Sequence, residues 1–86
     1  MEEKYIGSIA HYFSHLSVAA MTIEEGELKV GDKVHIKGHT TDLITTIESL
    51  ETEHHKLDTA KPGDDIGFKV PDHVREHDKV YKITGV

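Results

Sequence analysis

Apolar and polar positions alternate along this chain in short runs, and no helical period is sustained. From Lys33 to Lys37 the order is strictly polar, apolar, polar, apolar, polar, as in a strand with one buried face. Ile66, Phe68 and Val70 alternate in the same way with Gly67 and Lys69, and Pro71 ends that run. Tyr5 to Phe13 is rich in aromatic and β-branched residues, turns a corner at Ser14-His15, and is followed by Leu16 to Ile23. The pattern predicts further strands over Leu43 to Leu50 and Val80 to Ile83, with Glu51 to Lys56 either continuing the former or twisting through a bulge. A helix over Ile44 to His54 is the competing reading, because positions 44, 47 and 50 fit an i, i+3 stripe. The Thr45-Thr46 pair and the missing cap weigh against it.

Turn chemistry punctuates these runs. Glu24 to Glu27 precedes Leu28, Gly38 to Asp42 is a loop, and Pro62-Gly63 fits a tight turn. Lys29-Val30-Gly31-Asp32 and Lys61-Pro62-Gly63-Asp64 share a device: glycine supplies a positive φ and aspartate hydrogen-bonds the local backbone before the next strand. Several short strands at this spacing predict an all-β barrel or sandwich. At 86 residues the chain suits one domain, its core spanning about residues 5–83.

Composition narrows the function classes. With no cysteine, disulfides, thiolate zinc sites and cysteine nucleophiles are excluded. No run approaches the roughly 20 apolar residues of a membrane-spanning helix, so no membrane partner is expected. Met1-Glu2-Glu3-Lys4 does not read as a signal peptide, and a cytoplasmic location is the expectation. The net charge of −6 is spread evenly, with four bases against seven acids in residues 1–43 and six against nine in residues 44–86. Such acidity argues against strong nonspecific duplex binding, yet leaves room for a local basic face.

That face has candidates. Lys33, His35 and Lys37 share one side of a predicted strand, with Lys29 across the preceding turn. Together they make a small positive patch suited to RNA phosphates, and Tyr12 or Phe13 is a candidate for base stacking. The ordinary alternative is a solvated strand face whose lysines discourage edge pairing.

Other constellations carry less. His73-Val74-Arg75-Glu76-His77 matches an inverted zinc-peptidase pattern, but that chemistry needs both histidines on one helical face. On a strand they would sit roughly 13 Å apart. His11 and His15 straddle a strand end and His54 and His55 point to opposite faces, so no dedicated metal site is predicted; the sequence leaves open whether His35 and His39 approach within a hairpin. Glu24, Glu25, Glu27, Asp64 and Asp65 are turn-borne acids, and Thr40-Thr41-Asp42 reads as loop capping. No cofactor and no catalytic activity are expected.

Four fragments in order resemble the second domain of translational GTPases such as elongation factor Tu. They are Leu28 to Gly38, Thr46 to Leu50, Ala60 to Gly67 (an A-x-x-G-D-x-V-G-like segment) and Val74 to Val80, where His77 stands at a usual glycine. The chain is similar to small translation elongation factor-like proteins and to the C-terminal domain of some collagenase-like peptidases. This resemblance implies a six- to seven-stranded antiparallel β-barrel that docks on RNA, on the ribosome or on a protein partner. The alternative it raises is an adaptor completing a larger peptidase or GTPase in trans. It does not imply GTPase activity, because the chain lacks a G-x-x-x-x-G-K-[ST] loop and nothing would cradle a nucleotide.

Overall fold

Three turns of one design set the register of the strands. In each, an aspartate carboxylate accepts the N–H three residues back: Asp32 Oδ2 from Lys29, Asp64 Oδ2 from Lys61 and Asp78 Oδ2 from Arg75, all at 2.8 Å. The residue before the aspartate has positive φ: Gly31 at 99°, Gly63 at 94° and His77 at 73°. His77 therefore adopts the conformation that glycine supplies in the other two turns.

Each turn also exchanges two backbone hydrogen bonds with a buried isoleucine that follows Ser or Thr. Gly31 N–H donates to Ile47 O while Ile47 N–H donates to Asp32 O. Gly63 and Asp64 do the same with Ile23, and His77 and Asp78 with Ile9, at 2.8–2.9 Å. A strand begins at the next residue in every case, and the three isoleucines lie in one core. The shared turns seen in the sequence are thus two of three copies of a single structural unit.

The computed structural model describes residues 2–53 and 55–85. The described chain is all-β: β1 (Glu2–Phe13), β2 (Val18–Ile23), β3 (Leu28–Lys29), β4 (Lys33–Lys37), β5 (Asp42–Thr46), β6 (Leu50–Thr52), β7 (His55–Leu57), β8 (Thr59–Ala60), β9 (Asp65–Lys69) and β10 (Lys79–Thr84). Residues 44–54 hold no helix among the described residues, and His54 lies outside them. The extended run over 43–50 is interrupted at 47–49, where Ile47 turns to bond the Gly31-Asp32 turn.

Antiparallel pairing gives the order β5-β4-β10-β1-β2-β9-β6-β7, with β3 and β8 as a separate pair. Laid flat, β5 and β6 would stand roughly 29 Å apart at about 4.8 Å per strand. The chain from Thr46 to Leu50 spans at most about 14 Å. The sheet must therefore curl back on itself as in the expected β-barrel, with eight strands rather than six or seven and no ladder joining its two ends among the described residues.

Strand β1 makes the curl possible. Its register shifts between Tyr5 and Gly7 and again between Ile9 and His11, so it pairs with β10 first and with β2 afterwards. Such bulges bend a strand and change which face a side chain meets. They account for Ile6 and Ile9 both being buried although an unbroken strand would send them to opposite faces. Those two pack with Met21, Ile23, Leu28, Ile36, Ile47, Leu50 and Phe68, each at most 2% exposed. Full burial of each such side chain contributes roughly 1.5–3 kcal/mol.

Candidate nucleic-acid interface

The barrel buries Val34, Ile36 and Val80 completely, so the residues that alternate with them on β4 and β10 face outward. The registers assemble three rows across the outer face. One row is Glu3, Ile83, Lys33 and Thr46; the next is Tyr5, Tyr81, His35 and Ile44; the third joins Ser8, Lys79, Lys37 and Asp42. Lys33, His35 and Lys37 thus share a face, as their spacing predicts. Lys29 stands apart, on β3 in the two-stranded sheet.

Histidine 35 is the anchor of this face. Its Nδ1 lies 2.9 Å from Glu3 Oε1 and its Nε2 2.5 Å from Asp42 Oδ1. An ionised carboxylate only accepts, so both ring nitrogens can donate at once only in the protonated ring, and the two carboxylates favour that imidazolium form. Asp42 first and Glu3 second raise its pKa above the usual value of 6.5, with desolvation opposing them. His35 therefore holds the start of β1 to β4 and β5, and its charge is engaged within the chain.

The lysines are differently placed. Lys37 and Lys79 are directly opposite on adjacent strands, and among the described residues neither Lys33, Lys37 nor Lys79 makes an ion pair. Between their rows the Tyr81 ring packs edge-on to Tyr5, centroids 5.9 Å apart, and lies 6.5 Å from His35. The Tyr5 hydroxyl donates to Glu24 Oε2 at 2.9 Å. Desolvation first, and then that carboxylate, raise the Tyr5 pKa, which keeps the phenol neutral. Lys79, Tyr81 and Tyr5 were not singled out from sequence. The signal that would have found them is the alternation Lys79-Val80-Tyr81 after an aspartate turn, the grammar that also opens β4.

The remaining candidates lie elsewhere. Tyr12 packs on His73 with centroids 4.6 Å apart, and Phe13 packs against His11 at 4.5 Å, both near the β1–β2 turn. His11 Nδ1 sits 3.3 Å from Glu76 Oε2. His77 is committed to its turn, and no three metal-ligating groups converge among the described residues. Asp64 caps a turn, Asp65 accepts from the Thr22 hydroxyl, and Thr40 Oγ1 accepts from Arg75 Nε at 2.8 Å. No helix among the described residues is long and apolar enough to cross a membrane.

The curled sheet and the Gly-Asp turns are those of a translation-factor type of barrel. The chain belongs to the Elongation factor Tu domain 2 family, which matches residues 17–81. It is 38% identical over 82 residues to a collagenase of Porphyromonas gingivalis, covering 94% of this chain and 23% of that protein. It is 50% identical over 48 residues to elongation factor 1-alpha of Sulfolobus acidocaldarius, covering 56% of this chain and 11% of that protein. The C-terminal domain of a Geobacillus thermoleovorans protein described as a U32 peptidase superposes with a TM-score of 0.87. At 21% identity, that match covers 94% of this chain and 93% of that domain. The chain thus spans less than a quarter of the curated relatives it matches and corresponds to an accessory part of larger proteins.

Proposed function

We propose that this chain is a non-catalytic accessory domain that docks on RNA or a ribonucleoprotein through the outer face of β4 and β10. The observation that carries the reading is the Lys37–Lys79 pair. Like charges directly opposite on neighbouring strands destabilise a sheet, and these two have no ion-pair partner among the described residues. A phosphate placed between them would supply the missing charge. Lys33 adds a third cation one row beyond His35, and Tyr81 offers a ring face or edge to a base. Lys29 would add its charge only to a backbone that extends past the turn.

Three to four phosphate contacts yield weak, salt-sensitive binding, in the micromolar range or above. A fluorescent tRNA acceptor minihelix is the test ligand. Replacing Lys37 and Lys79 together by Glu should reduce affinity at least tenfold, whereas an unchanged affinity removes this surface from consideration. The reading calls for no cofactor and no nucleotide, and it suits a cytoplasmic protein.

A second reading is favoured by a different feature. Phe13 and Leu16, 39% and 56% exposed, lie at the β1–β2 turn, and β1 stands two strands from β4 in the sheet order. An apolar pair there suits an adaptor that completes a larger peptidase or GTPase in trans. The partner for that test is the Porphyromonas gingivalis collagenase lacking its matching segment. Association that weakens at least tenfold in Phe13→Ser/Leu16→Ser would favour the adaptor; undiminished association would count against it.

A further inference from the structure

Strand β5 ends the sheet, and no ladder pairs its outer edge among the described residues. The phase of its bonding to β4 is fixed from both ends. Gly38 N–H donates to Thr41 O, and Ile47 N–H donates to Asp32 O, with unbroken register between. Hydrogen-bonded pairs alternate along an antiparallel ladder, so Leu43 and Thr45 bond β4. Asp42, Ile44 and Thr46 then turn their N–H and C=O groups to the open edge, and none makes another backbone bond outside the strands.

Exposed edges are normally blunted by shortness, charged side chains, proline or a bulge. β5 reads Asp-Leu-Ile-Thr-Thr; it has no lysine, proline or bulge, its one charge, Asp42, is turned to His35, and Ile44 is 56% exposed. Beside it runs a groove with Lys33, Ile44 and Thr46 on one side and Lys69 and Pro71, at the end of β9, on the other. The groove thus has walls on both sides. A second barrel would bring its own neighbouring strand against the β9 wall, whereas a single extended chain needs no such room. Two lysines line the groove against one carboxylate, Glu48, within a chain of net charge −6.

We infer that the open edge of β5 takes up an extended peptide segment of a partner protein by strand addition. The segment carries acidic side chains toward Lys33 and Lys69 and an apolar one beside Ile44. Its backbone pairs with the outward groups of Asp42, Ile44 and Thr46, giving affinity, while the groove selects the side chains. This site is independent of the RNA reading. Lys33 borders both surfaces, so Lys37 and Lys79 test the RNA face, and Ile44 and Lys69 test this one.

The experiment selects a displayed library of random dodecapeptides on the wild-type chain. Enriched peptides should be acidic and alternating, and should slow amide exchange at Asp42, Ile44 and Thr46. They should also bind Ile44→Pro at least tenfold more weakly. Proline there removes an N–H that β4 does not use, so the fold should survive, and an unchanged melting temperature checks this. If Ile44→Pro melts early, Ile44→Lys and Lys69→Glu replace it, with tenfold losses expected from Lys69→Glu. Peptides that bind all variants alike, that protect other amides, or that fail to enrich overturn the inference. So does dimerisation of the wild type that Ile44→Pro abolishes, which would assign the edge to a second copy.

Discussion

Lys37 on β4 and Lys79 on β10 face each other across the ladder, two like charges in register with no ion-pair partner among the described residues. Asp42, the residue opposite Lys37 on β5, directs its carboxylate to His35 instead. Like charges in register on neighbouring strands cost stability, and the proposed docking places an anion between these two.

Stability and binding should therefore move in opposite directions. Lys79→Glu removes the repulsion and supplies a partner for Lys37, with only Ser8 opposite on the other side, so it should stabilise the free chain by about 0.5 kcal/mol. In the Lys37→Glu/Lys79→Glu variant, the slope of log affinity for the minihelix against log salt should fall in magnitude by about 1.5. Thermal melting checks the first and a salt series of anisotropy titrations checks the second.

His35 gives the fold a pH dependence whose sign follows from its raised pKa. The imidazolium's bonds to Asp42 and Glu3 contribute fully below the ordinary histidine value of about 6.5 and are lost as pH rises through the raised value. Glu3 and Asp42 are 42% and 71% exposed, so solvent screens the contribution to about 1 kcal/mol. Urea titrations should show His35→Gln costing about that much more at pH 6 than at pH 9. Equal costs at both pH values would contradict the bridging role.

His77 holds a φ of 73° in a turn whose two sister copies use glycine. A side chain in that region carries a steric cost that glycine avoids. His77→Gly should raise stability by about 0.5–1 kcal/mol, because the backbone bonds to Ile9 are kept. Gly31→Ala should do the reverse, although its Cβ would enter open space. Denaturation midpoints of the two variants, read together, check the assignment.

Gly38 closes the β4–β5 hairpin against the buried Asp78. A Cβ at that position would overlap the Asp78 carboxylate, which is fixed by its bond from the Arg75 N–H. Gly38→Ala should cost about 2 kcal/mol or more, since the β10 turn must shift to admit it. Calorimetry would show the loss as a lowered melting temperature.

What the sequence revealed was whatever depends on neighbours in the chain. The alternation over Lys33–Lys37, the stop at Pro71 and the turns at Gly31-Asp32 and Gly63-Asp64 are local, and each is found where its residues place it. The third turn is legible only through the family resemblance, which sets His77 at a usual glycine, because a histidine side chain does not by itself advertise positive φ. The composition of the outer face was also hidden, because β10 joins β4 across more than forty residues and only that pairing brings Lys79 and Tyr81 beside Lys37 and His35. Side-chain direction on β1 was equally illegible, since two bulges invert its parity. The carboxylates on His35 come from Glu3 and Asp42, partners that no spacing rule connects.

The most direct test is an amide NMR titration of the isotopically labelled chain with the tRNA acceptor minihelix at near-physiological salt. Docking through the lysine face predicts saturable shifts confined to residues 33–37 and 79–83, weakened in Lys37→Glu/Lys79→Glu. Shifts that are absent at the highest RNA concentration, or that cluster around Phe13 and Leu16, would contradict it.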